Sequence, residues 1–261
     1  MNPYRLPVSG FDIHLRQAGG REDLMLLEAS ALDMALAIAL LENVASRSDE
    51  GVADWAALPV TDVDAALLRI RQNLLGDLIC TDLLCPAPLC GKRIDVKFSI
   101  GEFLAHHAPS RVRGVGPAGA DNPGWFRLAD GSAMFRLPTG EDIIAAAIER
   151  SPERELIRRC IRPAGLRTTL LRRALRAIET MAPSLSDELA AECAECGAAV
   201  RIYFDARSFA LRELQGHAAF IYGDTHLLAH HYHWPEADIL ALPRDRRIHY
   251  VEMLRQPERG S

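Results

Sequence analysis

Four cysteines carry the clearest chemistry in this chain. They stand as two half-sites, Cys85-Pro-Ala-Pro-Leu-Cys90-Gly and Cys193-Ala-Glu-Cys196-Gly, about a hundred residues apart. Aligned on Cys90 and Cys196, both continue as Cys-Gly-x-x-(Ile/Val)-x-(Val/Ile)-x-Phe, ending at Phe98 and Phe204. A cysteine pair, a glycine suited to a tight turn and an alternating apolar run describe a metal knuckle followed by a strand. Four thiolates complete a tetrahedral zinc shell and leave no position open for water or substrate, so the expected Zn2+ is structural. The competing explanation is four unrelated buried cysteines, which leaves the matched Cys-Gly-x-x pattern without a cause. The remaining pair, Cys80 and Cys160, lacks such partners and is expected to behave as small core residues.

Other reactive types are less organised. Six of the nine histidines lie between His217 and His249. His226, His230 and His233 fall on one helical face, as a second metal site or as a solvated stripe. No acidic residue completes a His-Glu-x-x-His pattern. Residues 150–176 hold nine arginines. Of these, Arg158, Arg159, Arg162, Arg172, Arg173 and Arg176 are the candidates to grip phosphates or an acidic partner. The alternative is a pair of amphipathic helices with solvated basic faces. There is no Gly-x-Ser-x-Gly and no glycine loop followed by Lys, so an enzyme is not expected.

Positioning these residues requires a protein with a sizeable core. At 261 residues, 49% apolar and 25% charged, the chain has the composition of a globular protein. The net charge of −5 provides no global field for nucleic acid. All thirty cationic residues except Lys92 and Lys97 are Arg, a bias that genome composition explains. No signal peptide is apparent at Met1-Asn-Pro-Tyr-Arg-Leu-Pro7. The most apolar stretch, 24–41, is interrupted by Glu28 and Asp33 and falls short of a membrane span. The expected location is cytoplasmic, where paired cysteines read as metal ligands.

Periodicity predicts a strand within 8–17 and helices over 22–47, interrupted near Ser30, where Ser30 and Asp33 form a capping box. The stretch 46–51 reads as a loop. Thr61 with Asp64 predicts a capped helix to about Asn73, and Leu78–Leu84 is a short apolar run entering the first knuckle. A helix is expected at 100–106, a loop at 111–124, and a hairpin over 125–137 with a type I′ turn at Asp130-Gly131. Thr139 with Asp142 caps a helix to about Arg150. Helices at 152–161 and 166–181 follow, then a capped helix from Ser186 into the second cysteine pair. Beyond Phe204 the pattern is helical throughout: 208–222, 224–233, 236–240 and 244–255, broken at Trp234-Pro235. No repeat of 20–50 residues is visible apart from the paired cysteine motifs.

The C-terminal run from His226 to Leu254 combines an apolar helix ending in Tyr232-His-Trp234, a short acidic helix ending in Leu242-Pro243 and an Arg-rich helix carrying Tyr250. It resembles the end of the T-even-type baseplate hub assembly and tail assembly chaperone proteins of contractile phage tails and related injection systems. The similarity covers roughly 205–255, with an echo at Phe135-Arg-Leu-Pro-Thr-Gly140. The resemblance implies a non-enzymatic assembly role through protein partners such as baseplate, hub or tape-measure components. The positions it carries over are Leu227, Leu228, Tyr232, Trp234, Ile239, Leu242, Pro243, Arg247 and Tyr250. Trp234 and Tyr232 serve equally as partner anchors or as C-terminal core.

The expected architecture is therefore α+β and mainly helical, with a discontinuous zinc-ribbon-like module at 80–99 and 186–205. Around it lie an N-terminal strand-plus-helices region (1–79), an inserted hairpin and helical region (100–185) and a helical C-terminal region (206–261). The leading functional expectation is an assembly factor or accessory component of a contractile tail. The alternative is a zinc-ribbon nucleic-acid-binding or regulatory protein using the helices of 150–176.

Overall fold

A computed structural model describes residues 3–48, 51 and 53–255. The chain opens with β1 (Tyr4–Arg5), β2 (Asp12–Leu15), α1 (Gly20–Glu28), α2 (Met34–Val44) and β3 (Ala45–Arg47). Next come α3 (Val60–Leu75), β4 (Leu78–Leu84), β5 (Arg93–Ser99) and α4 (Ile100–His106). β6 (Val115–Pro117), β7 (Trp125–Leu128) and β8 (Met134–Arg136) lead to α5 (Gly140–Ala147), α6 (Pro152–Cys160) and β9 (Ile161–Arg162). The second knuckle follows on α7 (Thr168–Met181), β10 (Ser186–Glu192), β11 (Ala199–Asp205) and α8 (Ala206–Ala218). Three helices end the described chain: α9 (Ile221–Tyr232), α10 (Glu236–Ala241) and α11 (Arg244–Arg255). The class is α+β, with more helix than strand.

The order of elements occurs twice. Residues 4–106 run strand, strand, helix, helix, strand, helix, hairpin, helix, and residues 125–218 repeat that order. Pairing repeats as well. β2 lies between β1 and β3, and β8 lies between β7 and β9, all antiparallel, while β6 adds an outer strand to the second sheet. Leu15 opposite Ala45 corresponds to Phe135 opposite Ile161. Each unit thus supplies one knuckle, and the period exceeds a hundred residues, beyond the range in which the sequence shows a repeat.

The start of α1 matches the start of α5. Arg16-x-x-Gly19-Gly20-x-Glu22 and Arg136-x-x-Thr139-Gly140-x-Asp142 share an arginine, a glycine at the first helical position and an acid at the third. Glu22 accepts the Gly19 N–H at 2.6 Å and pairs with Arg16; Asp142 accepts the Thr139 N–H at 3.1 Å and pairs with Arg136. Each start is met by a Leu-Pro turn that begins another helix. Thr139 bridges Pro59 ahead of α3, and Gly19 bridges Pro243 ahead of α11. The first unit therefore lends a turn to the second, and the C-terminal segment lends one to the first.

The main core lies between α1, α2, α3 and α8, with Trp55, Leu40, Leu41, Leu67, Leu68 and Leu211 buried at its centre. Apolar burial on this scale stabilises by about 25 cal/mol per Å2. Polar contacts set the register of α8 on α3. Arg207 pairs bidentately with Asp64 at 2.8 and 2.9 Å, and Arg71 with Glu213 at 2.6 Å. A smaller core joins Phe135, Ile161, Ala174 and Ile178 in the second unit.

Several expectations change. Residues 186–192 form a strand, not a capped helix. Seven backbone pairs with β11 override the helical propensity of Glu-Leu-Ala-Ala-Glu. Asp33, not Ser30, caps α2 by accepting the Leu36 N–H at 3.0 Å. Thr61 is no cap: α3 begins after Pro59, and the Thr61 hydroxyl donates to the Pro183 carbonyl. The 125–137 hairpin is present, but its turn is not type I′, because only Gly131 has positive φ and the Asp130 carboxylate is held by Ser132 and Arg173. Residues 115–117, read as loop, pair with β7. Residues 45–47 form β3, and 49–50 of the expected 46–51 loop lie outside the described residues. α9 runs through Gly223; the break falls at 219–220 instead. Among the described residues no helix is long and apolar enough to cross a membrane.

Candidate metal centre

The knuckles sit at the tips of two hairpins that share no backbone ladder with each other. β4 and β5 pair from Leu78–Ser99 to Leu84–Arg93, placing Cys85 just beyond the last pair. β10 and β11 pair from Ser186–Asp205 to Glu192–Ala199, placing Cys193 equivalently. The Cys85 N–H donates to the Lys92 carbonyl at 2.8 Å and the Cys193 N–H to the Ala198 carbonyl at 2.9 Å, closing both loops. Gly91 and Gly197, each following the second cysteine, hold φ of 56° and 71°. That left-handed geometry requires glycine if the chain is to turn back into its strand.

The two tips bring all four sulfurs within 4.8 Å of one another. Cys85 Sγ lies 3.6 Å from Cys196 Sγ, and Cys90 Sγ lies 3.8 Å from Cys193 Sγ. The first cysteine of each unit therefore faces the second of the other, the relation that a two-fold exchange of units produces. A tetrahedral site with Zn–S bonds of about 2.3 Å requires sulfurs about 3.8 Å apart. These separations are far beyond a disulfide's roughly 2.05 Å, and all six cysteines are free thiols. Among the described residues this is the one group of three or more Cys, His, Asp or Glu side chains arranged to hold a metal.

Protonation follows from the crowding. Backbone N–H groups of Cys196 and Glu195 aimed at the Cys193 sulfur draw its pKa down to about 7. At Cys85 a backbone contact at Ala87 favours the thiolate but is outweighed by desolvation and the other sulfurs, and the thiol is pushed up to about 12. Four packed sulfurs thus resist full ionisation unless a cation is among them, and a divalent ion supplies the missing charge.

Apolar side chains repeat on both sides beneath the sulfurs. Ile94 and Val200 are buried against Cys85 and Cys193, with Val96 and Ile202 beside them. Lower down, Phe98 and Phe204 meet edge to face at 5.0 Å, each also touching Phe103. The knuckles and the strands that follow them thus meet their counterparts along one line, with Phe103 of α4 packed against both phenylalanines.

The remaining candidates are scattered. Cys160 is buried beside Asp142, but Cys80 is exposed on β4, because its side chain points away from the apolar face of the hairpin. Leu228 and Ile239 are fully buried with Val251, and Leu227, Tyr232, Trp234 and Tyr250 pack around them. Tyr232, Trp234 and Tyr250 are half-buried and mutually in contact, with Tyr232 and Trp234 stacked at 4.8 Å. Leu242 is half-buried ahead of Pro243. Arg247 is buried, donating to Asp23 at 2.6 Å and pairing with Asp224. Of the arginines, Arg158 pairs with Glu155, Arg159 with the buried Asp142 and Arg173 with Asp130. Arg162 lies over the Trp125 ring, and Arg172 and Arg176 are exposed. His226 and His230 are exposed and stacked at 6.2 Å, and His233 closes α9 in the left-handed conformation.

Sequence reasoning missed the buried ion groups. Asp23 is inaccessible and receives both Arg244 and Arg247; Asp142 receives Arg136 and Arg159. The repeated Arg-x-x-(Gly/Thr)-Gly-x-(Glu/Asp) points to the Arg136–Asp142 pair, whereas no sequence pattern marks Asp23 with Arg244 and Arg247. The chain matches no protein-family model, and neither a curated protein nor a solved structure matches it.

Proposed function

We propose that Cys85, Cys90, Cys193 and Cys196 bind one structural zinc ion as a discontinuous zinc ribbon, and that the protein is a non-enzymatic assembly factor or accessory component of a contractile tail or related injection apparatus. The observation that carries the metal reading is the convergence of half-sites 103 and 111 residues apart to sulfur separations of 3.8 and 3.6 Å. A full shell of thiolates suits a clasp and not a catalyst, and free thiols suit a reducing compartment such as the cytoplasm. Elemental analysis of the purified chain should give about one zinc per molecule. Cys193→Ser with Cys196→Ser should remove it and most of the stability. A fully folded, metal-free wild-type chain would sink the assignment.

The assembly reading rests on the C-terminal resemblance and on the Tyr232, Trp234 and Tyr250 group, rigid aromatics of the kind that anchor protein partners. Co-expression with baseplate, hub and tape-measure proteins encoded beside it should yield a complex that Trp234→Ala weakens. If none of them co-purifies, the reading fails. The nucleic-acid alternative is less favoured, since Arg158, Arg159 and Arg173 are engaged by carboxylates. A salt-sensitive shift of labelled DNA, lost on reversing Arg172 and Arg176, would revive it.

A further inference from the structure

The buried ion group on α11 holds more donors than acceptors. Arg244 and Arg247 are 2% and 3% exposed, so both guanidiniums are withdrawn from solvent. Asp23 accepts from Nε and Nη2 of Arg244 and from Nη2 of Arg247, while Asp224 accepts from Nε of Arg247 at 3.4 Å. Nη1 of each arginine is buried without an acceptor, and among the described residues no other buried side-chain nitrogen or oxygen is in that position. Arg71, buried as deeply, gives Nε to Glu213 and Nη1 to the Gly76 and Leu78 carbonyls, so the fold can satisfy a buried guanidinium. Leaving a charged donor unmet carries its full desolvation penalty.

Both arginines line a cavity of about 250 Å3 between the start of α9 and α11. Ile221 and Val251 form its buried apolar wall, and Phe220 and Ile248 its exposed one. Arg255 lines the same cavity; its side chain is 60% exposed and reaches Asp224 only at 3.9 Å. Three guanidiniums therefore face two buried carboxylates, Asp23 and Asp224, with Glu252 exposed at the edge. Burial and the proximity of Arg247 draw the Arg244 guanidinium down to about 10.

We infer that this cavity binds an oxyanion of the phosphate class, free phosphate or the head of a phosphate monoester, through Arg244, Arg247 and Arg255. Guanidinium forks match phosphate oxygens bidentately. A tetrahedral phosphate offers acceptors enough for three such groups, whereas a carboxylate has two oxygens. The volume lies below the roughly 300 Å3 at which sites for drug-sized ligands begin. It admits a phosphate with a small organic group against Phe220 and Ile248, and not a nucleotide. The inference rests on the unmet donors and the cavity, so it stands or falls apart from the tail-assembly reading. Asp23 belongs to α1 and both buried arginines to α11, so a bound phosphate fastens the last helix to the first.

The test is calorimetric titration of the full chain, at fixed ionic strength, with inorganic phosphate, phenyl phosphate and benzoate. Phenyl phosphate should bind once per chain, about tenfold or more tighter than benzoate, and inorganic phosphate should compete with it. Both phosphates should raise the melting temperature above that in sodium chloride of equal ionic strength. Arg244→Lys keeps a charge for Asp23 and removes Nη1. Arg255→Glu changes an exposed side chain, and so decides the matter even if the first variant does not fold. Each should weaken phenyl phosphate about tenfold or more. Retention on vesicles of phosphatidic acid in phosphatidylcholine, displaced by phenyl phosphate, would support the site with a lipid headgroup as its source; soluble binding without retention supports it with a free ester. Absence of saturable binding, benzoate binding as tightly as phenyl phosphate, or undiminished affinity in a folded Arg255→Glu chain would overturn the inference.

Discussion

Asp142 shows what one residue does in this protein. Burial alone would raise its carboxyl, but Arg136 and Arg159, at 2.5 and 2.6 Å, together with the Thr139 N–H, hold it well below the usual carboxylate range. It caps the start of α5, ties β8 to α6 and accepts from the Cys160 thiol. Replacing it by Asn leaves two half-buried guanidiniums without their anion, and breaking a buried pair costs about 3 kcal/mol or more. Asp142→Asn should lower the denaturation midpoint by that equivalent without changing the metal content of the purified chain, since the four-cysteine cluster lies elsewhere. The sign with pH follows from the depressed value. The contribution is complete above the unfolded-state pKa of about 4 and is lost as pH falls below it toward the folded value. Melting temperatures of wild type and variant should therefore converge on acidification.

At the scale of elements, Gly20 and Gly140 occupy equivalent first positions of α1 and α5 but do not have equal freedom. A Cβ at Gly20 would stand 2.9 Å from the Leu240 backbone and from Arg247 Nη1, whereas at Gly140 it would meet the Ile38 Cδ1 end at 2.8 Å. A side-chain tip yields more easily than backbone. Gly20→Ala should thus cost more than Gly140→Ala, with overpacking of about 1–3 kcal/mol as the scale; chemical denaturation of the two variants checks the order. This level also shows how much was legible beforehand. The knuckles could be read because Cys-Gly-x-x and the following alternation survive in both copies, and most helices were legible from their 3.6-residue period. The strand at 186–192 was not, since its residues favour helix and only pairing with β11 decides otherwise. The long repeat was hidden because α2 and α6 have opposite polarity and the segments before α3 and α7, 48–59 and 163–167, differ in length. Only an arginine, a glycine and an acid remain in common where the helices start.

For the whole molecule, the two units are interlocked. The first obtains α8 and the Leu242-Pro243 turn from the far end of the chain, and the second obtains Leu58-Pro59 from the first. Neither unit holds all four cysteines of the cluster, and the first lacks α8 from its core without the second. A chain split in the exposed 119–121 loop should therefore yield fragments that bind zinc and fold only when mixed, recovering about one zinc per pair; zinc titration followed by circular dichroism would decide it. The C-terminal turn carries a further consequence, for the order of events at the ribosome. α1 is among the first helices to emerge, yet the residues that cover its start, Leu240 to Arg247, are made some 220 residues later. At about 5–20 residues per second, the start of α1 stays uncovered for about 10–45 seconds of synthesis. The N-terminal half must wait for the end of its own translation, and a truncated product is left permanently open at that place.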